Sequence, residues 1–196
     1  MSRRSRGAAA LVALAGVLGS WQVATAEGDG PFDGIADAIR TPRGTVVDWV
    51  VAATTDIGSV FGLAGMTAAV GLGVDRPTAA EVAGAGSIGW VLGQAAKPLV
   101  ERQRPYEAGL AQLLVHPPAG SSWPSGHTAV AFGVATVLAD EGPATAAVAG
   151  LVAGWVGVTR VYVGAHHPTD VIGGAGIGVL SGLAAGVISR AIARRN

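Results

Sequence analysis

The residue types best suited to catalysis lie in three short clusters between residues 97 and 170. In chain order the clusters are Lys97 with Arg104 and Pro105, then Pro124, Ser125, Gly126 and His127, then Arg160 with His166 and Asp170. A phosphoryl group in transfer carries negative charge on its equatorial oxygens, so its chemistry requires fixed cations and hydrogen-bond donors. The arginines can make forked hydrogen bonds to a phosphate, and the lysine can act as a point charge. The clusters therefore indicate a site for phosphate chemistry.

His166 and Asp170 have the spacing of an oriented nucleophile. They flank Pro168 at the predicted start of the last long helix, so the carboxylate can reach back toward the imidazole. With Asp170 holding one ring nitrogen, the other nitrogen is unprotonated and directed at phosphorus. The pair predicts a phosphohistidine intermediate on His166.

Ser125 and Gly126 stand where a helix is expected to begin. Ser125 follows a proline and precedes an apolar run, which is typical of an N-cap residue. The free amides of a helix start bind anions, and Gly126 has no side chain to obstruct them. We expect these amides and the Ser125 hydroxyl to contact the phosphate.

Together the clusters resemble the three signature motifs of the type 2 phosphatidic acid phosphatase (PAP2) family, whose superfamily also includes the vanadium haloperoxidases. The motifs K-x-x-x-x-x-x-R-P, P-S-G-H and S-R-x-x-x-x-x-H-x-x-x-D occur here in that order, except that Thr159 replaces the serine. The resemblance implies a PAP2/haloperoxidase-like core and assigns His127 as the general acid for the departing alkoxide. Histidine titrates in the range that this role requires.

The remaining histidines and a metal site are secondary interpretations. His167 does not fit the motif spacing, and His116 lies outside the motifs. By ligand type alone, His127, His166, His167 and Asp170 would allow a metal site. Three nearby cations would repel a metal ion, so we expect neither a metal nor another cofactor.

The composition favours a membrane protein. Half of the 196 residues are hydrophobic, 13% are charged and the mean hydropathy is +0.48, which leaves too little polar surface for a soluble fold. The formal net charge is zero and there is no long basic run, which argues against a nucleic-acid partner. The absence of cysteine excludes disulfides and thiol chemistry. We expect residues 1–196 to form a single membrane-embedded domain, with the signature motifs within residues 97–170.

Six apolar segments predict an all-α polytopic bundle of about six transmembrane helices. The segments are Ala8–Ala26, Val46–Val70, Ala79–Ala96, Gly126–Ala139, Ala144–Val163 and Val171–Ile192. A bilayer crossing needs about 20 helical residues, so the third segment, which carries Glu81, and the short fourth segment fit least well. Glycines in the last segment, such as Gly174 and Gly178, predict close helix packing.

Charges near the two ends predict the orientation. The basic residues there are Arg3, Arg4 and Arg6 at one end and Arg190, Arg194 and Arg195 at the other. By the positive-inside rule both termini are cytoplasmic, so the motif clusters lie on the extracytoplasmic face of the cell membrane, in connections 97–125 and 162–170 beside a third connection, 27–45. The first segment also has features of a signal peptide ending near Ala26, and both readings stay open.

Other polar and aromatic residues near the outer boundary receive structural interpretations. We expect Arg40, Arg43 and Arg102 to contact lipid headgroups or solvent. Asp48 and Asp56 are expected to solvate a helix end. Interfacial anchors are expected at Trp21, Trp49 and Trp123.

The predicted function is hydrolysis of a lipid phosphomonoester or diphosphate, of the phosphatidate, phosphatidylglycerophosphate or polyprenyl diphosphate type. Three alternatives stay open, namely a lipid phosphotransferase, a vanadate-dependent haloperoxidase and a noncatalytic lipid-binding scaffold. The short, apolar chain disfavours the haloperoxidase, and the complete set of motif residues disfavours the scaffold. The expected partners of the predicted phosphatase are a membrane lipid phosphate and the bilayer.

Overall fold

The computed structural model describes residues 3–26, 32–40 and 44–195, and every regular element in these ranges is helical. The helices are α1 (Arg3–Thr25), α2 (Asp33–Arg40), α3 (Thr45–Thr54), α4 (Val60–Gly73), α5 (Arg76–Ala96), α6 (Gly126–Leu138), α7 (Pro143–Tyr162) and α8 (Pro168–Ala193), with short 3-10 turns at Thr55–Gly58, Lys97–Leu99 and Ala139–Glu141. The all-α prediction is confirmed. Parts of the predicted connection 27–45, including Arg43, lie outside the described residues.

Local capping signals explain where several helices begin. Ser59 caps α4 and Asp75 caps α5, each through a side-chain oxygen that accepts a backbone N–H of the first turn. Pro143 and Pro168 open α7 and α8, where a missing N–H costs nothing because the first helical turn has no partner for it.

The number of membrane spans differs from the prediction. Among the described residues, three helices are long and apolar enough to cross a membrane, and α3 with α4 adds a fourth if this pair, bent by 70°, is one broken span. The predicted span Val46–Val70 is interrupted, because the helix breaks before the Ser59 cap. Helix α6 has 13 residues and covers about 20 Å, less than the roughly 30 Å of a bilayer core. The prediction of six spans is not confirmed.

Helix α6 packs against α5, α7 and α8 and forms the centre of the bundle. Its apolar side chains Val130 and Val134 are buried in one cluster with Val82 of α5 and Ala185 of α8. Glycine allows the closest approach, since a Cβ at Gly178 would lie 2.4 Å from the Ala129 carbonyl oxygen. The predicted close packing of the last segment is confirmed.

Helix α1 is packed along α8. A Cβ at Gly176 would lie 2.6 Å from the Ala13 carbonyl oxygen, so the two backbones are in direct contact. Near the motif residues, Trp123 donates its Nε1–H to the Ser20 hydroxyl at 3.2 Å. Trp123 is only 3% exposed, so its interpretation as an interfacial anchor is wrong.

The two ends of the bundle carry different groups of charged side chains. At one end Arg6 forms an ion pair with Asp140 at 2.5 Å, and both residues line a small recess with Arg190. The motif residues lie at the opposite ends of α5, α6 and α8. The basic residues of the first and last helices are therefore separated from the motif residues by the length of the bundle.

Candidate active site

The motif residues converge because each lies at a helix end or in an adjoining loop. Lys97 follows α5, Gly126 begins α6, Arg160 lies in the last turn of α7, and Asp170 lies in the first turn of α8. A cavity of about 300 Å³ opens between these ends. Six of the eight predicted site residues line it, namely Lys97, Arg104, Gly126, His127, Arg160 and His166.

One ring nitrogen of His166 is hydrogen-bonded to a backbone carbonyl, and the other faces the guanidinium of Arg104. Its Nδ1 lies 2.8 Å from the Ser122 carbonyl oxygen, which can only accept, so Nδ1 carries the proton. Its Nε2 lies 3.4 Å from Nη1 of Arg104. Burial lowers the pKa of His166 from 6.5 to about 3, so the ring is neutral at physiological pH. A neutral ring with an unprotonated Nε2 is the form that a nucleophile requires, and in the resting site this nitrogen accepts from Arg104.

Asp170 supports this ring differently from the prediction. Its Oδ2 lies 3.6 Å from His166 Nδ1, which is an ion-pair distance, while the Ser122 carbonyl takes the hydrogen bond. The fully buried carboxylate accepts the backbone N–H of His167 at 2.7 Å and the hydroxyl of Ser122. Its second oxygen accepts Nη1 of Arg102 at 2.7 Å. The predicted tautomer of His166 is present, but a carbonyl oxygen rather than the carboxylate takes the Nδ1 hydrogen bond.

Ser125 is the N-cap of α6, as predicted. Its hydroxyl oxygen accepts the backbone N–H of Thr128 at 3.4 Å, and the Thr128 hydroxyl lies 2.9 Å from it. The side chain is fully buried and does not line the cavity, whereas Gly126 does. Contact between the Ser125 hydroxyl and a phosphate therefore stays a prediction.

Arg160 is buried beside the cavity with a donor unused. Its Nη1 donates to the Thr55 hydroxyl at 3.0 Å, and the Thr159 hydroxyl lies 3.0 Å from the same oxygen. Thr159, which replaces the family's serine, thus uses its hydroxyl to hold the partner of the arginine. The Nε of Arg160 is buried and has no hydrogen-bond partner among the described residues. A buried donor without an acceptor is energetically costly.

Lys97 and Arg104 line the cavity and also donate hydrogen bonds to backbone carbonyls of the adjoining loop. Lys97 Nζ donates to the Ser121 carbonyl at 2.6 Å, and the fully buried Arg104 donates to the carbonyls of Ala119 and Gly120. Burial, followed by the positive charge of Arg104, lowers the pKa of Lys97 from 10.5 to about 8. Both cations are thus fixed before any ligand binds.

His127 is more accessible than His166. Its side chain is 28% exposed, and Nε2 lies 3.4 Å from Oδ1 of Asp56, which is itself 74% exposed. Asp56 belongs to the 3-10 turn at the break between α3 and α4. The interpretation of Asp56 as a solvating group at a helix end did not include its contact with His127. Asp48, which received the same interpretation, accepts the Tyr162 hydroxyl at 2.9 Å.

Two arginines were assigned to lipid headgroups or solvent, and the structure contradicts both assignments. Arg102 is 13% exposed and donates to Asp170 and to the Thr169 hydroxyl at 2.6 Å. Arg40 is 8% exposed, with Nη1 3.9 Å from Asp37. The contacts of Arg102 join residues more than 60 positions apart, so only the fold brings them together, whereas Arg40 and Asp37 are three residues apart on one helix.

The other histidines take no part in the cavity lining. The ring Nε2 of His167 lies 3.2 Å from the Gln103 carbonyl oxygen, and burial lowers the pKa of His167. In the part of the chain that the structure describes, no three His, Asp or Glu side chains are grouped closely enough to hold a metal ion. The side chains that line the cavity include three cations and two histidines.

Comparison with known proteins identifies the family. The model of the PAP2 superfamily matches residues 78–193, which include every motif residue described above. The chain belongs to the PAP2 superfamily.

Two solved structures resemble this PAP2 protein. LpxE of Aquifex aeolicus has a TM-score of 0.68 and 29% sequence identity, covering 78% of this chain and 92% of LpxE. A PAP2 type phosphatidylglycerolphosphate phosphatase of Bacillus subtilis has a TM-score of 0.73 over 92% of this chain and 96% of its own, with 24% identity, and so shows a shared fold. The apolar helices and these relatives indicate a membrane protein.

A curated relative resembles only part of the PAP2 chain. The undecaprenyl-diphosphatase of Sulfolobus acidocaldarius is 36% identical over 86 residues. The aligned region covers 43% of this chain and 42% of the relative, so the chain spans less than half the length of that enzyme.

Proposed function

We propose that this PAP2 protein is an integral membrane lipid phosphatase that hydrolyses a phosphomonoester or diphosphate through a phosphohistidine on His166. The observation that carries the proposal is one cavity of about 300 Å³ lined by neutral His166 and by three cations, Lys97, Arg104 and Arg160. A nucleophile and fixed cations in one recess are what phosphoryl transfer requires.

The reaction has two steps. In the first, His166 Nε2 attacks phosphorus, the bond from phosphorus to the lipid oxygen breaks, and His127 donates a proton to that oxygen. In the second, His127 takes a proton from water, the water oxygen attacks the phosphohistidine, and inorganic phosphate leaves with His166 neutral again. Lys97, Arg104 and Arg160 neutralise the charge on the phosphoryl oxygens in both steps, so the mechanism uses no metal.

The surroundings of the cavity support a lipid as the substrate. Its wall includes Val60 at the start of α4 and Trp90 of α5, which are 49% and 39% exposed on the outside of the bundle. An apolar chain can lie against these side chains while its phosphate enters the cavity. Arginines at the opposite end favour a cell-membrane orientation with the cavity on the extracytoplasmic face.

The main test is phosphate release by protein purified in detergent with a chelator present. Phosphatidate, phosphatidylglycerophosphate and a polyprenyl diphosphate are the substrates to compare. We expect release from at least one of them and loss of release in a His166→Ala variant. Full activity in the His166→Ala variant would refute the mechanism. Loss of the wild-type activity in the presence of the chelator would refute it as well.

A second test concerns the intermediate. With p-nitrophenyl phosphate the leaving group needs little protonation, so a His127→Ala variant is expected to form the phosphoenzyme and hydrolyse it slowly. Acid-labile, base-stable phosphate on the protein would be detected after labelling with the radioactive ester. Transfer of the label to glycerol instead of water would indicate a phosphotransferase. Vanadate-dependent halide oxidation would indicate a haloperoxidase, and lipid binding without phosphate release would indicate a scaffold.

A further inference from the structure

We propose that Arg102 is a positioning residue for the reaction, which holds His166 in its attacking orientation through Asp170 and Ser122. The inference rests on the proposed function, because it takes His166 as the nucleophile. Arg102 lies within the first motif at a position that the motif pattern leaves open.

The side chain of Arg102 is fixed at two points. Its Nη1 donates to Asp170 Oδ1 at 2.7 Å and to the Thr169 hydroxyl at 2.6 Å, and the side chain is only 13% exposed. Its backbone is fixed as well, because its carbonyl accepts the Ser122 N–H at 2.9 Å and its N–H donates to the Ser121 hydroxyl at 3.2 Å. Arg102 thus contacts both groups that surround the nucleophile.

Asp170 requires a cation close to it. Its carboxylate is fully buried, and a buried charge is tolerated only when it is paired and hydrogen-bonded. Among the described residues, the side chains within ion-pair distance of it are Arg102 at 2.7 Å and His166 at 3.6 Å, and His166 is neutral in the resting site. Arg102 therefore supplies the permanent positive charge, which keeps the carboxylate anionic for the moment when the ring of His166 becomes cationic.

Ser122 transmits this arrangement to the ring. Its carbonyl accepts the Nδ1–H of His166 at 2.8 Å, its hydroxyl donates to Asp170, and its N–H donates to the carbonyl of Arg102. Removing the Arg102 side chain would release the carboxylate that fixes the Ser122 hydroxyl. The orientation of both the carbonyl and the imidazole would then be less well defined.

Arg102 does not line the cavity that contains His166. It lines a neighbouring, open recess of about 450 Å³ together with Glu101 and Glu107, and Lys97 lines both recesses. Loss of its side chain is therefore expected to slow the attack by His166 without weakening the binding of the phosphate. This separates its role from those of Lys97 and Arg160.

The test compares Arg102→Met, Arg102→Lys, Asp170→Asn and the double variant Arg102→Met with Asp170→Asn. We expect Arg102→Met to lower kcat by about 10–100-fold, as loss of an outer partner of a reacting group does. KM and inhibition by inorganic phosphate are expected to stay within about twofold of wild type, and Arg102→Lys to recover part of kcat, because a cation is restored. In the Asp170→Asn background the same substitution is expected to cause little further loss, because Arg102 acts through that carboxylate. The matched control is Glu101→Gln, an exposed neighbour outside the network, which should keep the wild-type kcat.

Three outcomes would overturn the inference. The first is wild-type kcat in Arg102→Met. The second is a raised KM and weaker phosphate inhibition at constant kcat, which would make Arg102 a substrate-binding residue. The third is evidence of a general structural role. Such evidence would be a further loss of kcat in the double variant as large as the loss in Arg102→Met alone, or equal losses of folded protein in Arg102→Met and Arg102→Lys. If wild type itself releases no phosphate from any lipid, the proposed function fails; if wild type is active and Arg102→Met equals it, only this inference fails.

Discussion

At the scale of single residues, the two motif histidines differ in their surroundings. His166 is 3% exposed, with Nδ1 bonded to a carbonyl and its pKa held near 3 by burial. His127 is 28% exposed and lies beside the carboxylate of Asp56. A buried neutral ring suits attack on phosphorus, whereas an accessible ring beside a carboxylate suits the exchange of protons with substrate and water.

The altered pKa of Lys97 predicts how substrate binding depends on pH. Because burial and Arg104 lower the pKa of Lys97 to about 8, its ammonium is charged below pH 8 and loses its charge as the pH rises above that value. KM is therefore expected to increase between pH 8 and pH 10. A Lys97→Arg variant keeps its charge throughout and should lose this increase. Steady-state KM measured across this range tests it, and an identical rise in both proteins would contradict the assignment.

Asp56 predicts an effect limited to proton transfer. Asp56→Asn removes a carboxylate that favours the protonated form of His127, but the contact is 3.4 Å long and largely exposed. We expect kcat for a lipid phosphate to fall about two- to fivefold, in keeping with an exposed ion pair. With p-nitrophenyl phosphate, whose leaving group needs no acid, phosphoenzyme formation should be unchanged. Equal losses for both substrates would instead place Asp56 in phosphate binding.

At the scale of helices, the site is built by helix ends that approach one another closely through glycine. A Cβ at Gly174 would lie 2.3 Å from the Ser125 carbonyl oxygen, and one at Gly178 would lie 2.4 Å from that of Ala129. Helix α8 therefore packs directly on the first two turns of α6. This contact fixes the distance between His127 at the start of α6 and His166 before α8.

This packing predicts the effect of a single methyl group. Gly178→Ala would force α8 away from α6, and overpacking of this kind costs about 1–3 kcal/mol. Gly154→Ala in α7 is the matched control, since no atom lies within 4 Å of a Cβ there and alanine favours the helix. Thermal unfolding in detergent should show a lowered midpoint for Gly178→Ala alone. Equal midpoints for the two variants would contradict close packing of α8 on α6.

The sequence predicted the motif residues better than the helices that carry them. Lys97, Arg104 and Arg160 were predictable because motif spacing brings fixed residue types to helix ends. Arg102 and Ser122 were not, because their contacts with Asp170 join residues 68 and 48 positions apart whose pairing only the fold determines. Helix α6 was assigned as a span from hydropathy, which does not distinguish a lipid-facing helix from one surrounded by protein.

At the scale of the whole molecule, the motif side chains lie at one end of the bundle, and Arg6 and Arg190 lie at the other. Arg6 and Arg190 line the recess that contains Asp140, at the end opposite His166. If the positive-inside rule sets the orientation, the cavity opens to the extracytoplasmic side. The natural sequence contains no cysteine, so single cysteines can report on each end without background.

Labelling with a membrane-impermeant maleimide tests this orientation. Glu101→Cys lies near the cavity and Arg76→Cys lies at the start of α5, at the other end, and both positions are exposed. In intact cells we expect the thiol of Glu101→Cys to be labelled and that of Arg76→Cys to be labelled only after lysis. The reverse pattern would place the cavity on the cytoplasmic side.

The shortness of α6 has a consequence for substrate choice. If the opposite end of α6 lies at the inner boundary of a bilayer core of about 30 Å, a helix of about 20 Å leaves its first residues, Gly126 and His127, below the outer boundary. Helices α5, α7 and α8 pack around α6, so the start of α6 is enclosed by protein rather than by lipid. A substrate must therefore place its phosphate in the cavity below the outer boundary while its tail stays in the membrane. Lipids with the phosphate at the tip of the headgroup can do so at little cost, whereas those that carry bulky groups beyond the phosphate would have to submerge them.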